Sequence, residues 1–320
     1  MRVIRKYIRR ILIVAGLVMA IGIWGLSKLG LIDLGTSVSP PPVSLPAPQE
    51  KPADEILMAS FNIQIFGQAK LKKTEVVSVL AQIVRRFDII AIQEIRSIND
   101  PLLPKFIEVV NQDDAAYGYV ISPALGKSKE QFAFIFDTNR IEMIENSAFT
   151  MADPAKLIHR EPMIASFRTK TTEPGVEPFS FTLINVHTDP DETDTELNVL
   201  DDVFGIIQSQ PEDDVILLGD LNVSYKKFGQ LAEVRNLHWT IADAPTNTRQ
   251  TKSYDNIVFN SEATKEFTGK AGVLDLETEF NISREQALQI SDHLPIWAAF
   301  KMTESPSGIL ATKPETTERH

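Results

Sequence analysis

The chain has 320 residues, a 43% hydrophobic content, no cysteine and a formal net charge of −11. It is long enough for one large core or two modest ones, and the missing thiols exclude disulfides, thiolate metal sites and cysteine nucleophiles. Residues 1–53 carry seven basic and two acidic side chains, so the remainder is more acidic than the whole. That argues against holding nucleic acid by broad charge neutralisation and leaves open an enzyme whose carboxylates hold metal ions.

The chain opens with Arg2, Arg5, Lys6, Arg9 and Arg10, followed by an uncharged run from Ile11 to Leu26. The run is short for a spanning helix, which needs about 20 residues, but extends to Ile32 if Lys28 snorkels to the interface. Residues 1–32 therefore read as a membrane anchor or a cleaved signal segment; in both cases the basic flank stays cytoplasmic and the body is exported. Residues 33–53 form a Pro-rich spacer around Pro40-Pro41-Pro42, Pro46 and Pro48. The body is expected over 54–303, with a polar, disordered tail over 304–320.

Strand-length apolar runs occupy Ile56–Ile63, Phe87–Ile92, Phe132–Phe136, Met163–Arg168, Phe179–Val186, Asp214–Leu218, Asn256–Phe259 and Pro295–Phe300. Helical periodicity appears over Lys72–Phe87 and Thr193–Ser209, and Ser283 to Gln286 has the spacing of a capping box. Strands outnumber helices and alternate with them incompletely. The pattern predicts an α+β fold, a four-layer sandwich of two packed sheets flanked by helices, rather than a doubly wound sheet. No Gly-rich phosphate loop follows any strand.

The informative residues sit where apolar runs end. Asn62 closes the first run, Gln93-Glu94 the second, His187 a middle one, and Asp220 and Asn222 follow Val215–Leu218. Tyr254-Asp255 and Asp292-His293 open two later runs. Each motif alone also fits a turn or a strand meeting water; Gly219-Asp220-Leu221-Asn222, for instance, is a plausible turn. Their order and spacing together carry more.

That order resembles the endonuclease/exonuclease/phosphatase superfamily over residues 56–300, and within it the DNase I-like branch. The resemblance rests on Ser60-Phe-Asn62-Ile-Gln-Ile-Phe-Gly67, Ile92-Gln-Glu94-Ile-Arg96, Leu125-Gly126 and Lys129-Glu130-Gln-Phe. It continues through Arg160-Glu-Pro162, Val186-His187-Thr-Asp-Pro190, Leu218-Gly-Asp220-Leu-Asn222, Tyr254-Asp255 and Ile290-Ser-Asp292-His293.

The resemblance implies a DNase I-like fold and a metal-dependent phosphodiesterase that leaves 5′-phosphate products, with a monomeric catalytic domain. Glu130 would orient His187, and Asp255 would orient His293, giving two carboxylate–imidazole pairs that favour the proton-donating imidazolium. Asp220 and Asn222 would position the attacking water. Glu94 would ligate Mg²⁺ or Mn²⁺, with Asn62 and Asp292 beside it; all are hard oxygen donors. Arg96, Asn222 and Tyr254 would serve the substrate, and Arg160, placed with them, would support the site or the phosphate.

The chain also departs from the branch. Gln64 replaces an arginine that contacts the DNA backbone, and Ser128 replaces a tyrosine that packs in the minor groove. The loop before Arg160 lacks an acidic calcium pattern, and a second calcium loop survives only in part, over Asp243–Thr251. Two other readings compete: a sphingomyelinase-like phospholipid phosphodiesterase, and a non-catalytic, membrane-tethered binding module. Loss of Glu94, His187 or His293 would favour the latter, and all three are present.

Overall fold

A computed structural model of the chain describes residues 50–96, 102–171 and 175–305. The expected anchor over 1–32 lies outside the described residues, as does most of the Pro-rich spacer. No helix among the described residues is long and apolar enough to cross a membrane.

Two sheets carry the fold. The first has six strands in the order β12 (Phe267–Val273), β13 (Ile296–Lys301), β1 (Glu55–Phe66), β2 (Ile89–Ile95), β4 (Gln131–Asp137) and β3 (Tyr117–Ile121). The second runs β10 (Leu237–Trp239), β11 (Asp255–Asn260), β9 (Val215–Asp220), β8 (Ser180–His187), β7 (Met163–Thr169) and β5 (Ile141–Met143), with β6 (Phe149–Thr150) paired to β7. The pairs β1–β2 and β8–β9 are parallel.

Three apolar layers separate the elements. Helices α2 (Thr74–Arg85) and α3 (Leu102–Val110) and the short α5 (Leu276–Phe280) and α6 (Arg284–Ile290) pack on the outer face of the first sheet. Phenylalanines 132, 134, 167, 179, 181, 259 and 300 fill the space between the sheets. Helix α4 (Thr193–Gln208) covers the second sheet through Leu197, Leu200, Val203, Phe204 and Ile207. The expected α+β four-layer sandwich is therefore observed. Helix α6 starts with the expected capping box: Ser283 accepts from Gln286 N–H while Gln286 accepts from Ser283 N–H.

The period of two explains where the polar residues land. On β1, Ile56 and Met58 face the other sheet, and Ser60 and Asn62 continue that row; on β9, Ile216 and Leu218 are followed by Asp220. On β8, Phe181 and Leu183 lead to Asn185 and His187, and on β2, Ile89 and Ala91 lead to Gln93. Each inward row is apolar along most of its length and polar at one end. Because β11 runs antiparallel to β9, its first residue, Asp255, pairs with Asp220 at that same end.

The outer boundaries differ from the sequence expectation. Lys51, expected in the spacer, ion-pairs with Asp137 at 2.7 Å and with buried Asp88 at 3.2 Å. Glu304 and Ser305, expected in the tail, donate their N–H groups to the carbonyl of Glu177 and the carboxylate of Glu266.

Candidate active site

Two bulges shape the polar edge. The β1–β2 register shifts between Asn62 and Phe66, where Gln64 and Ile65 adopt φ of +43° and +48°. That conformation is costly for a β-branched residue. It aims the N–H of Ile65 at Glu94 Oε2, 2.8 Å away. Glu94 itself has φ +65°, and its N–H donates to Glu130 Oε1 at 3.1 Å.

Glu130 and His187 come together as the resemblance implies: Nδ1 of His187 lies 2.7 Å from Glu130 Oε1. Asp255 and His293 likewise meet at 3.0 Å through Nδ1. Each histidine turns its other nitrogen toward one shared atom, Asp220 Oδ2, at 3.5 Å from His187 and 3.4 Å from His293. Asn62 Nδ2 donates to that same oxygen at 3.1 Å and to Glu94 Oε1 at 3.1 Å.

The electrostatics follow from this convergence. Burial raises the pKa of Asp220, but the two imidazoles and the hydrogen bonds from Asn62 and Asn222 overcome it and leave Asp220 below its ordinary value. Burial lowers His293, and the charges of Asp255 and Asp220 more than reverse that, carrying it to about 10. His187 is also raised, since the hydrogen bond to Glu130 and the charge of Asp220 outweigh burial. Burial likewise opposes ionisation of Glu130, yet His187 and Arg160 bring it below the usual value. Asp255 is pushed up by burial and by Asp220, so the Asp255–His293 pair holds its proton tightly. Because His293 sits above the free-histidine value of 6.5, its contribution to stability is complete below about pH 6.5. That contribution is lost as pH rises through about 10.

The other expected residues take distinct places. Arg96 stands half-exposed at the rim, 3.3 Å from Glu94 Oε2 and 4.0 Å from Glu130 Oε2. The Tyr254 ring centroid lies 5.9 Å from that of His293. Asn222, at φ +54°, ties its amide to the carbonyl of Thr188 and its N–H to Asp220 Oδ1. Arg160 differs from a surface substrate contact: it is buried and donates to the carbonyls of His187 and Thr188, at 2.8 Å each. It braces the histidine strand from below. Asn62, expected beside the metal, uses its amide nitrogen on the two carboxylates and its carbonyl on Gln64 N–H. It bridges the two carboxylates.

The donor set fits a hard divalent ion. Asp292 Oδ1 is buried without a hydrogen-bond partner, an unmet demand that a cation would satisfy. The ligand atoms of Asp220, Asp255 and His293 lie within 4.8 Å of one another. The partial calcium segment is otherwise engaged. Asp243 faces Lys226 at 3.3 Å, Thr246 donates to Asp255 at 2.6 Å and Thr248 donates to the carbonyl of Ser291. This segment thus fastens Asp255 and the turn before His293.

Sequence reasoning missed Lys70 on the short helix α1 (Gln68–Leu71). Its ammonium donates to the carbonyls of Ile63, Gln64 and Ile290, joining the β1 bulge to the turn before Asp292. Burial lowers its pKa to about 8 against the opposing charges of Asp292 and Glu94. Lys70→Met leaves three carbonyls without their donor, and we expect a loss of about 2–3 kcal/mol in urea unfolding. Unchanged stability would show that these contacts are replaced by water. Gln93 and Asn185 were also missed as a pair: Gln93 Nε2 donates to Asn185 Oδ1 at 2.7 Å, pinning one sheet to the other behind the site.

Imidazoles that hold their protons beside buried carboxylates suit phosphoester hydrolysis, and a divalent-metal-dependent hydrolase of phosphoester bonds is the class to which the chain's relatives assign it. Its residues 59–293 match the Endonuclease/Exonuclease/phosphatase family, and the chain belongs to that family. It is 31% identical to bovine Deoxyribonuclease-1 over 257 residues, covering 75% of this chain and 90% of that one. It is 30% identical to human Deoxyribonuclease-1-like 1 over 271 residues, covering 80% and 87% respectively. Among solved structures, zebrafish (D. rerio) TDP2 complexed with a single-strand DNA product shares the fold at a TM-score of 0.56 and 14% identity, over 77% of this chain and 99% of that one. The human Nocturnin catalytic domain shares it at a TM-score of 0.53 and 16% identity, over 78% and 95%.

Proposed function

We propose that the protein is a Mg²⁺- or Mn²⁺-dependent endonuclease that hydrolyses DNA to 5′-phosphate products. The observation that carries this reading is the convergence of both histidine Nε2 atoms on Asp220 Oδ2, each histidine backed by its own carboxylate. A phosphodiester bound across that point meets a proton donor on either side. Asp220, anionic and flanked by Asn222, is placed to hold the attacking water and take its proton, and the imidazolium opposite it is placed to protonate the leaving alkoxide. A divalent ion held by Glu94 and Asp292 would supply positive charge to the phosphoryl oxygens. DNA as substrate is supported by the deoxyribonuclease relatives and by Arg96, whose half-exposed guanidinium lies at the rim of the site.

We place the enzyme at a membrane, anchored by residues 1–32 with the catalytic domain extracytoplasmic. The basic flank and apolar run of the sequence support that placement; if the segment is cleaved, the domain is secreted.

The test is metal-dependent nicking of supercoiled plasmid by the full chain, with chelator and His187→Ala controls, alongside phosphocholine release from sphingomyelin. Intact plasmid together with phosphocholine release would overturn the nuclease reading. Within it, Glu94→Gln and Asp292→Asn should each raise the Mg²⁺ concentration for half-maximal activity by about 10–100-fold. An unchanged metal titration would remove these two residues from the cation site.

A further inference from the structure

We propose that a second divalent-cation site, of the calcium type, is built from Asp214, Glu266 and Glu304 at the end of the sheets away from the active site. Ligand oxygens of these three side chains lie within 4.8 Å of one another. Asp214 precedes β9 and Asp220 ends it, so six residues of extended chain, about 20 Å, separate this cluster from the catalytic edge. It coincides with neither the Asp243–Thr251 segment nor the loop before Arg160.

The cluster is more than exposed acidity. Asp214 is 6% exposed and Glu266 2% exposed, and both line a pocket of about 670 Å³. Asp214 Oδ1 and Glu266 Oε2 are buried and have no hydrogen-bond partner. Two other oxygens of the cluster are engaged: Ser305 N–H donates to Glu266 Oε1 at 2.7 Å, and Ser180 N–H to Glu304 Oε1 at 2.9 Å. Glu212, which accepts from Ser180 and from the N–H of Asp214, adds a fourth carboxylate at the wall. Lys265 lines the same pocket but is exposed.

Buried carboxylate oxygens left without donors, with several like charges around them, are costly unless a proton or a cation joins them. Burial, followed by the charges of Glu266, Glu304 and Glu212, pushes Asp214 up to about 8, even with the Thr264 hydroxyl acting to lower it. Glu304 is raised by burial and by the same neighbours. Carboxylate oxygens alone suit Ca²⁺, whose flexible sphere of six to eight oxygens accepts irregular cages and water. Such an ion would fasten the 304–305 segment to the starts of β8 and β9 and to the segment before β12, a structural role remote from the chemistry.

Calcium itself is the probe. The full chain is stripped of metal and studied in a Glu94→Gln/Asp292→Asn background, which disables the catalytic cation site. Equilibrium dialysis should show that adding Asp214→Asn and Glu266→Gln removes one equivalent of bound Ca²⁺. At about a hundredfold excess over Kd, Ca²⁺ should raise the Tm of the background protein by about 5–10 °C, and the added substitutions should abolish that rise. In chelator the same two substitutions should raise the Tm, because they remove buried like charges. Equal calcium stoichiometry and equal Tm response with and without Asp214→Asn/Glu266→Gln would overturn the proposal. So would a background protein that is stabilised by lowering the pH to 6 but indifferent to Ca²⁺, which would show that protons alone hold the cluster.

Discussion

Replacing His187 or His293 with alanine is expected to lower kcat for phosphodiester hydrolysis by about 10²–10⁴-fold, the usual worth of a positioned general acid or base. Both rings aim at Asp220 Oδ2, so they act as one unit, and the double variant should lose far less than the product of the single losses. Alanine at 187 also leaves Glu130 buried without its partner, with Arg160 3.8 Å away, and removing one member of a buried pair costs about 3–5 kcal/mol. His187→Gln separates the two effects, since its amide retains a donor for Glu130 and cannot transfer a proton. It should fold with nearly normal urea stability and be as inactive as the alanine variant. Full activity in His187→Gln would remove proton transfer from this residue's role. The pH profile supplies an independent readout. Glu130 raises the His187 pKa, so in Glu130→Gln the histidine should lose its proton at lower pH. The alkaline limb of kcat should then move toward acid, and a limb that stays in place would assign it to His293.

Much of this arrangement was legible in the sequence because strands announce themselves by period and end. The eight apolar runs that end or begin in polar residues became β1, β2, β4, β7, β8, β9, β11 and β13. The strands left unpredicted are of another kind: β3 and β12 are edge strands with few buried positions, and β5, β6 and β10 span two or three residues. Helix α3 escaped notice because Pro104 interrupts an apolar stretch, although a proline in the first helical turn loses no intrahelical bond. At the site, Glu130–His187 and Asp255–His293 are 57 and 38 residues apart. Those pairings came from the resemblance, because spacing alone does not reveal them. Lys70, Thr246 and Asn185 act through side-chain hydrogen bonds to other segments of the chain. Such bonds depend on which strands become neighbours and leave no periodic trace. Arg160 shows the converse: its motif was visible, but whether an arginine faces substrate or braces a strand depends on burial.

Gly219→Ala is expected to damage both fold and site. Gly219 has φ +154°, and a Cβ at this position would lie 2.0 Å from the carbonyl oxygen of Val186 and 2.9 Å from its side chain. Backbone on both sides is committed. Val186 pairs with Gly219 and His187 with Asp220 in the parallel β8–β9 ladder, and Asn256 pairs with Gly219 from β11. Relief therefore requires β8 and β9 to separate, which breaks ladder bonds among fully buried strands and drives His187 away from Asp220. A loss of about 3–5 kcal/mol in urea unfolding is expected, the range of substitutions that force strain into a packed core. Activity should fall at least as far as in the His187 variant, because a misplacement of about 1 Å already costs about 10²-fold. Gly205→Ala is the control: it lies in α4, and a Cβ there meets nothing within 4 Å. Alanine at that helical position should raise stability by up to about 1 kcal/mol and leave kcat unchanged. If Gly219→Ala unfolds at the wild-type urea midpoint and nicks plasmid at the wild-type rate, β8 and β9 are not held at the spacing that puts both imidazoles on Asp220.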